Sequence, residues 1–127
     1  MTGLGIILAH LVGDYLLQTH HQAVEKVKHW PPAIAHGLTY TLPYVLVTQS
    51  PAALAVICGT HIVIDRFRLA RYVVWLKNLP APKAYRAPLS SPTGYPEDAP
   101  PWLAVWLLIL ADNTMHLLIN AAAVIWL

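Results

Sequence analysis

The sequence predicts an all-α fold, a polytopic membrane helix bundle with four transmembrane helices. Of its 127 residues, 57% are hydrophobic and only 11% are charged, whereas a soluble domain is usually about a quarter charged. Too few charged side chains are therefore present to cover the surface of a soluble domain. One domain over residues 1–127 is the natural expectation at this length, and the single Cys58 excludes an internal disulfide.

Four apolar stretches supply the predicted spans. They cover about residues 3–19, 32–48, 51–69 and 102–127. Because a bilayer core needs about 20 helical residues, the fourth is long enough on its own, whereas the others are shorter or interrupted, the second by Pro43. Residues 78–101, between the third and fourth spans, are rich in proline, which predicts an irregular cytoplasmic loop.

The distribution of basic residues predicts the topology. Every Lys and Arg lies in one of two connections, residues 26–28 and residues 66–86. In a four-span chain both connections fall on the same side, which the positive-inside rule makes cytoplasmic. We therefore expect a multi-pass protein of a bacterial inner membrane with both termini extracytoplasmic. The few basic residues, most of them beside span ends, give no indication of nucleic-acid binding.

Each predicted span carries a histidine, and three spans also carry an aspartate four residues away, which places the pair on one helical face. These candidate metal ligands are His10, Asp14, His36, His61, Asp65, Asp112 and His116. Counted from the span ends, all seven can occupy one layer in the cytoplasmic half of the bundle. An aspartate at the centre of a membrane helix costs roughly 2.5–3.5 kcal/mol, so these residues must be paired, neutralised or ligated.

Histidine and carboxylate side chains on facing helices can build mono- or dinuclear metal centres. Nitrogen and oxygen donors suit a divalent transition metal, with zinc first and iron, manganese and nickel as alternatives. Seven donors exceed the four of a tetrahedral ion, so we expect two ions, or one ion with aspartates that orient the histidines. Gln18, Tyr40 and Asn113 are expected to support the ligands. The alternative is that His–Asp pairs only hydrogen-bond across helices and hold the bundle together.

The segments that carry these residues, AHLVGDYLLQT, AHGLTYTLPY and THIVIDRFRLARY, resemble a family of small bacterial and bacteriophage membrane proteins catalogued as domain of unknown function 3307. The resemblance covers about the first 75 residues, and the fourth span more loosely. The matching positions are His10, Gly13, Asp14, Gln18, His36, His61 and Asp65. The family has no established activity, so the resemblance implies no reaction. A more distant similarity to inner-membrane metal-dependent hydrolases is a fold-level analogy.

Three functions remain open. The first is a membrane-embedded metal-dependent hydrolase of a lipid or lipid-linked substrate, with Asp14 or Asp65 as general base. In that enzyme an anionic lipid headgroup would bind Arg66, Arg68 and Arg71. The second is a proton or metal-ion transporter or channel subunit, which at this size needs to form a homo-oligomer. The third is a structural or partner-binding phage-type membrane protein, in which the polar layer only locks the helices.

Overall fold

The computed structural model describes residues 2–127, and these residues form helices and irregular connections without a strand. The α-helices are α1 (Thr2–Leu11), α2 (His20–Glu25), α3 (Trp30–Thr41), α4 (Pro51–Phe67), α5 (Ala70–Lys77) and α6 (Pro101–Trp126). After α1 the chain continues as a π-helical turn over Val12–Leu16, and after α3 as a 3-10 helix over Leu42–Leu46. The structure is therefore all-helical.

The prediction of a bundle with four transmembrane helices is wrong. Among residues 2–127, only α6, with 26 residues, is long and apolar enough to cross a membrane, a statement of length and composition alone. The α-helices of the other predicted spans have 10, 12 and 17 residues, against the roughly 20 that a bilayer core requires. The apolar stretches misled because hydropathy counts residues, whereas spanning depends on the length of uninterrupted helix. The topology derived from four spans loses its basis with them.

Capping residues and prolines explain where the helices begin and end. Thr19 and Gln22 form a reciprocal capping box at the start of α2, which satisfies two backbone amides that lack helical partners. Pro51 and Pro101 begin α4 and α6, at the position where the missing amide hydrogen of proline costs nothing. Pro43 lies within the 3-10 segment that follows α3, because proline cannot donate the hydrogen bond that would continue the α-helix.

The chain divides into two compact units, residues 2–67 with 116–127, and residues 68–115. The core of the first unit includes Ile6 on α1, Tyr40 on α3, Ile57 on α4 and Ala123 on α6. Gly13 allows the π-helical turn to approach α3 closely, since a Cβ at this position would lie 2.6 Å from the Tyr40 ring and 2.8 Å from its carbonyl oxygen.

The second unit contains α5 and the proline-rich segment, which is irregular apart from a short 3-10 helix at Lys83–Tyr85. The Trp75 indole donates a hydrogen bond to the Ala87 carbonyl at 3.0 Å. Gly94 adopts a φ of +80°, which disfavours side chains, and a Cβ there would lie 2.8 Å from the Trp75 amide nitrogen. Irregular backbone is thus packed directly against α5.

Candidate metal centre

Four of the predicted ligands meet in the first unit. Asp14 lies on the π-helical turn, His36 on α3, and His61 and Asp65 one turn apart on α4. All four are buried, and one ligand atom of each lies within 4.8 Å of the other three. Buried His and Asp groups are therefore close enough to hold a metal ion.

The distances between the donor atoms are short and similar. The Nε2 atom of His36 lies 3.2 Å from Asp14 Oδ1, 2.9 Å from His61 Nε2 and 3.3 Å from Asp65 Oδ2. His61 Nε2 lies 3.4 Å from Asp14 Oδ1 and 3.2 Å from Asp65 Oδ2. A tetrahedral zinc ion with bonds of 2.0–2.1 Å would separate its donors by about 3.3–3.4 Å. Five of the six donor–donor separations are therefore close to those around a tetrahedral ion, and the sixth, between the two carboxylates, is within 4.8 Å.

Each carboxylate of the centre also faces a third, outer histidine with its other oxygen. Asp65 Oδ1 lies 3.2 Å from His116 Nε2, and Asp14 Oδ2 lies 3.6 Å from His10 Nδ1. Both outer histidines are buried. His116 is thus placed to orient the Asp65 carboxylate, in the way that outer groups support metal ligands. The distance between His10 and Asp14 is longer than a hydrogen bond.

A buried network connects His10 with the aromatic core. Tyr40 Oη lies 2.8 Å from His10 Nδ1, and the Tyr40 ring stacks on the His61 ring with centroids 3.5 Å apart. The Asn120 side-chain amide donates to Tyr40 Oη at 2.6 Å and to Tyr44 Oη at 2.7 Å. Tyr40, expected from the sequence as a supporting residue, therefore contacts both a ring of the centre and an outer histidine.

His36 and His61 each make their polar contacts through a single ring nitrogen. The Nδ1 atoms of His36 and His61 are buried and have no hydrogen-bond partner among the described residues, so each ring directs its polar contacts through Nε2. Metal-bound imidazoles usually donate their second N–H to a neighbouring acceptor. The absence of that acceptor leaves the orientation of the His61 ring to its stacking on Tyr40.

A lysine also enters the centre. Lys26, in the connection after α2, places its ammonium 2.6 Å from Asp65 Oδ2, with 17% of its side chain exposed. Lys26 and Asn120 were not predicted as site residues. Asn120 had a signal, since it lies one turn after His116 on α6. Lys26 had none, because it belongs to a connection and contacts a residue 39 positions away.

Electrostatics in the centre depend on the pairing of these buried groups. Burial alone would raise the pKa of both Asp14 and Asp65, but hydrogen bonds from the surrounding histidines outweigh burial and hold both pKa values below the usual range. Burial would lower the pKa of His61, yet the two carboxylates raise it to about 9. Without a metal ion, two carboxylate charges are therefore balanced at neutral pH by Lys26 and a protonated His61.

Gln18, Asp112 and Asn113 complete the ligands and supporting residues predicted from the sequence. The Gln18 side-chain amide donates to the backbone carbonyl of Asp14 at 3.0 Å, so it closes the end of the π-helical turn and does not contact the carboxylate in that bond. Asp112 and Asn113 lie on the part of α6 that belongs to the second unit, and Asp112 precedes His116 by one helical turn.

The three arginines predicted to hold a headgroup bind protein atoms. Arg66 donates to the backbone carbonyls of Val27 at 2.6 Å and Lys28 at 3.1 Å. In the second unit, Arg68 donates to the Pro92 carbonyl and Arg71 to the Tyr72 hydroxyl. Arg66 in particular fixes the connection that carries Lys26.

Comparison with known protein families gives a match. A family model described as protein of unknown function (DUF3307) matches residues 4–85. The chain belongs to this family, as the resemblance in its sequence predicted, because the match covers more than half of its length. No curated protein and no solved structure matches the chain. The matched region includes all four residues whose donor atoms converge.

Proposed function

We propose that this member of the DUF3307 family binds one divalent transition-metal ion, with zinc as the first candidate, through Asp14, His36, His61 and Asp65. The observation that carries the proposal is the set of five donor–donor distances between 2.9 and 3.4 Å. They are close to the edges of a tetrahedron around a zinc ion, about 3.3–3.4 Å. Hydrogen bonding alone does not require four donors to converge mutually.

The chemistry of the donors supports a borderline transition metal. Two imidazole nitrogens and two carboxylate oxygens suit zinc, iron, manganese or nickel, and the centre has no thiolate that would favour copper(I). His116 holds the Asp65 carboxylate through its other oxygen and supports the same geometry.

Hydrolysis of a lipid or lipid-linked substrate is the reaction that we propose for this centre. A bound ion of this class activates water or polarises a carbonyl or phosphoryl oxygen. Catalytic zinc sites keep one position open to water, so hydrolysis requires Asp65 to leave the ion and act as general base instead of ligand. Its Oδ2 lies at the edge of the centre where Lys26 is partly exposed. The ammonium of Lys26 also offers a contact for an anionic group.

We propose a membrane as the place of this chemistry. Support comes from α6, whose 26 residues suffice to cross a bilayer, and from exposed aromatic side chains near both of its ends, Trp102, Trp106 and Trp126. Tryptophan is enriched at membrane–water interfaces. Retention in membranes after alkaline extraction is the expected result, and release into the soluble fraction would refute the membrane location.

A second function is favoured by a separate observation, the hydrogen-bond network of Tyr40, Tyr44 and Asn120. This network satisfies buried polar groups without any ion, as a purely structural polar core would. A structural protein of this kind would contain no stoichiometric metal, so metal content separates the two functions.

Elemental mass spectrometry on untagged protein, purified in mild detergent, tests the proposed function. About one transition-metal ion per chain is expected in the wild type, with loss of most of it in Asp14→Asn and His36→Ala. The exposed His20 provides a matched control, since His20→Ala removes an exposed imidazole that is not one of the four ligands and should retain the metal. Metal at background level in a folded wild-type protein would favour the structural core.

A further inference from the structure

Lys26 contacts the same oxygen that a metal ion would use. Its ammonium lies 2.6 Å from Asp65 Oδ2. That oxygen also lies 3.3 Å from His36 Nε2 and 3.2 Å from His61 Nε2. A metal ion bound at these donors would bring two cations to one carboxylate oxygen inside a buried site, where charge repulsion is strong.

The backbone around Lys26 is fixed, so the contact is built into the fold. Arg66 donates hydrogen bonds to the carbonyls of Val27 and Lys28, directly after Lys26. Arg66 also follows Asp65 in sequence, which ties the connection to the end of α4 that carries the ligand. The lysine side chain itself is long and flexible and 17% exposed, so its ammonium has a path to solvent.

We propose that Lys26 sets the metal affinity of the centre, because a metal ion must displace its ammonium from Asp65 Oδ2 before Asp65 becomes the fourth ligand. This inference rests on the metal-binding function proposed above. Loss of a hydrogen bond between charged groups changes an equilibrium constant by roughly ten- to a hundredfold. The Lys26–Asp65 ion pair therefore weakens the binding of every metal by about that factor.

A uniform weakening has a consequence for which ions occupy the site. Manganese lies at the weak end of the affinity order for such donors, well below zinc. The ion pair raises the concentration at which each ion fills the site, so weakly binding ions stay unbound at concentrations at which zinc still binds. Lys26 thereby restricts occupancy to tightly binding ions, although the ratio of their intrinsic affinities is unchanged.

Zinc titration against a chromophoric chelator, on the full untagged chain in mild detergent, tests this role. Lys26→Met should bind zinc roughly ten- to a hundredfold more tightly than the wild type. Lys28→Met is the matched control, since Lys28 is exposed and pairs with Glu25 at 3.4 Å, and its affinity should stay within about twofold. Equal affinities of Lys26→Met and wild type, or equal gains in both variants, would overturn the inference.

Two further measurements make the result specific. In an Asp65→Asn background, Lys26→Met should change zinc affinity little, because the ion pair is already absent; a full gain there would contradict the role of Asp65. In the wild type, zinc should increase the acylation of Lys26 by an amine-reactive reagent, measured by peptide mass spectrometry, and unchanged acylation with zinc bound would overturn the displacement. A wild-type protein without zinc binding would instead refute the proposed function itself.

Discussion

Replacing Gly13 with alanine should disturb the metal centre through its backbone. The new Cβ would lie 2.6 Å from the Tyr40 ring and 2.8 Å from the Tyr40 carbonyl oxygen, whereas ordinary contact begins at 3.4 Å. The π-helical turn must therefore move by about 0.6–0.8 Å relative to α3. Overpacking of this kind lowers the free energy of unfolding by about 1–3 kcal/mol. A functional site must be held to within about 0.5 Å, so a movement of this size disrupts its geometry. Asp14, the next residue, moves with the turn.

Thermal unfolding of chelator-treated protein and zinc titration, both in mild detergent, measure the two effects. Gly59→Ala is the matched control, because a Cβ at Gly59 in the middle of α4 meets nothing within 4 Å. It should stabilise the protein by about 0.5–1 kcal/mol through helix propensity. Gly13→Ala should melt lower and bind zinc about ten- to a hundredfold more weakly, as sites do when the support of a ligand is lost. If it matched Gly59→Ala in both measurements, the close approach to Tyr40 would not position Asp14.

Two further predictions concern protonation and the proline-rich segment. The pKa of His61 is raised from 6.5 to about 9. In chelator-treated protein, protonated His61 should therefore contribute about 3 kcal/mol to the free energy of unfolding. This contribution should be complete below pH 6.5 and disappear as pH rises through 9. Chemical denaturation at several pH values should show this loss in the wild type and not in His61→Gln. Ser91→Ala removes the buried hydroxyl that accepts from the Gly94 amide at 3.0 Å and should destabilise the loop locally by about 1–3 kcal/mol. Hydrogen exchange at Gly94 should then accelerate, and an unchanged rate would contradict that role.

The ligand residues could be predicted from the sequence because burying an unpaired aspartate costs free energy in any fold. A buried aspartate requires a partner wherever the chain folds, and spacing of four residues puts His61 and Asp65 on one face of α4. The number of spans could not be predicted, because it depends on where helices break. Pro43 gave a visible signal for one break, whereas the change from α to π geometry at Val12 has no comparable sequence signal.

The contribution of Lys26 could not be predicted for a different reason. A lysine in a polar connection usually faces solvent, and its pairing with Asp65 depends on how Arg66 holds the following backbone. Long-range contacts of flexible side chains leave no periodic pattern in a sequence. The residue proposed to control metal affinity is thus one that pattern analysis assigns to the surface.

The two His–Asp pairs with His first show how a break in helix geometry changes a role. His61 and Asp65 lie on the continuous helix α4, and both point their donor atoms into the centre. Between His10 and Asp14 the chain changes to a π-helical turn at Val12, so the same spacing no longer gives the same relative direction. Asp14 consequently reaches His36 and His61, whereas His10 lies behind its other oxygen. π-Helical turns are frequent at functional sites. Here the turn makes Asp14 a ligand and leaves His10 outside the ligand set, whereas His61 and Asp65 are both ligands.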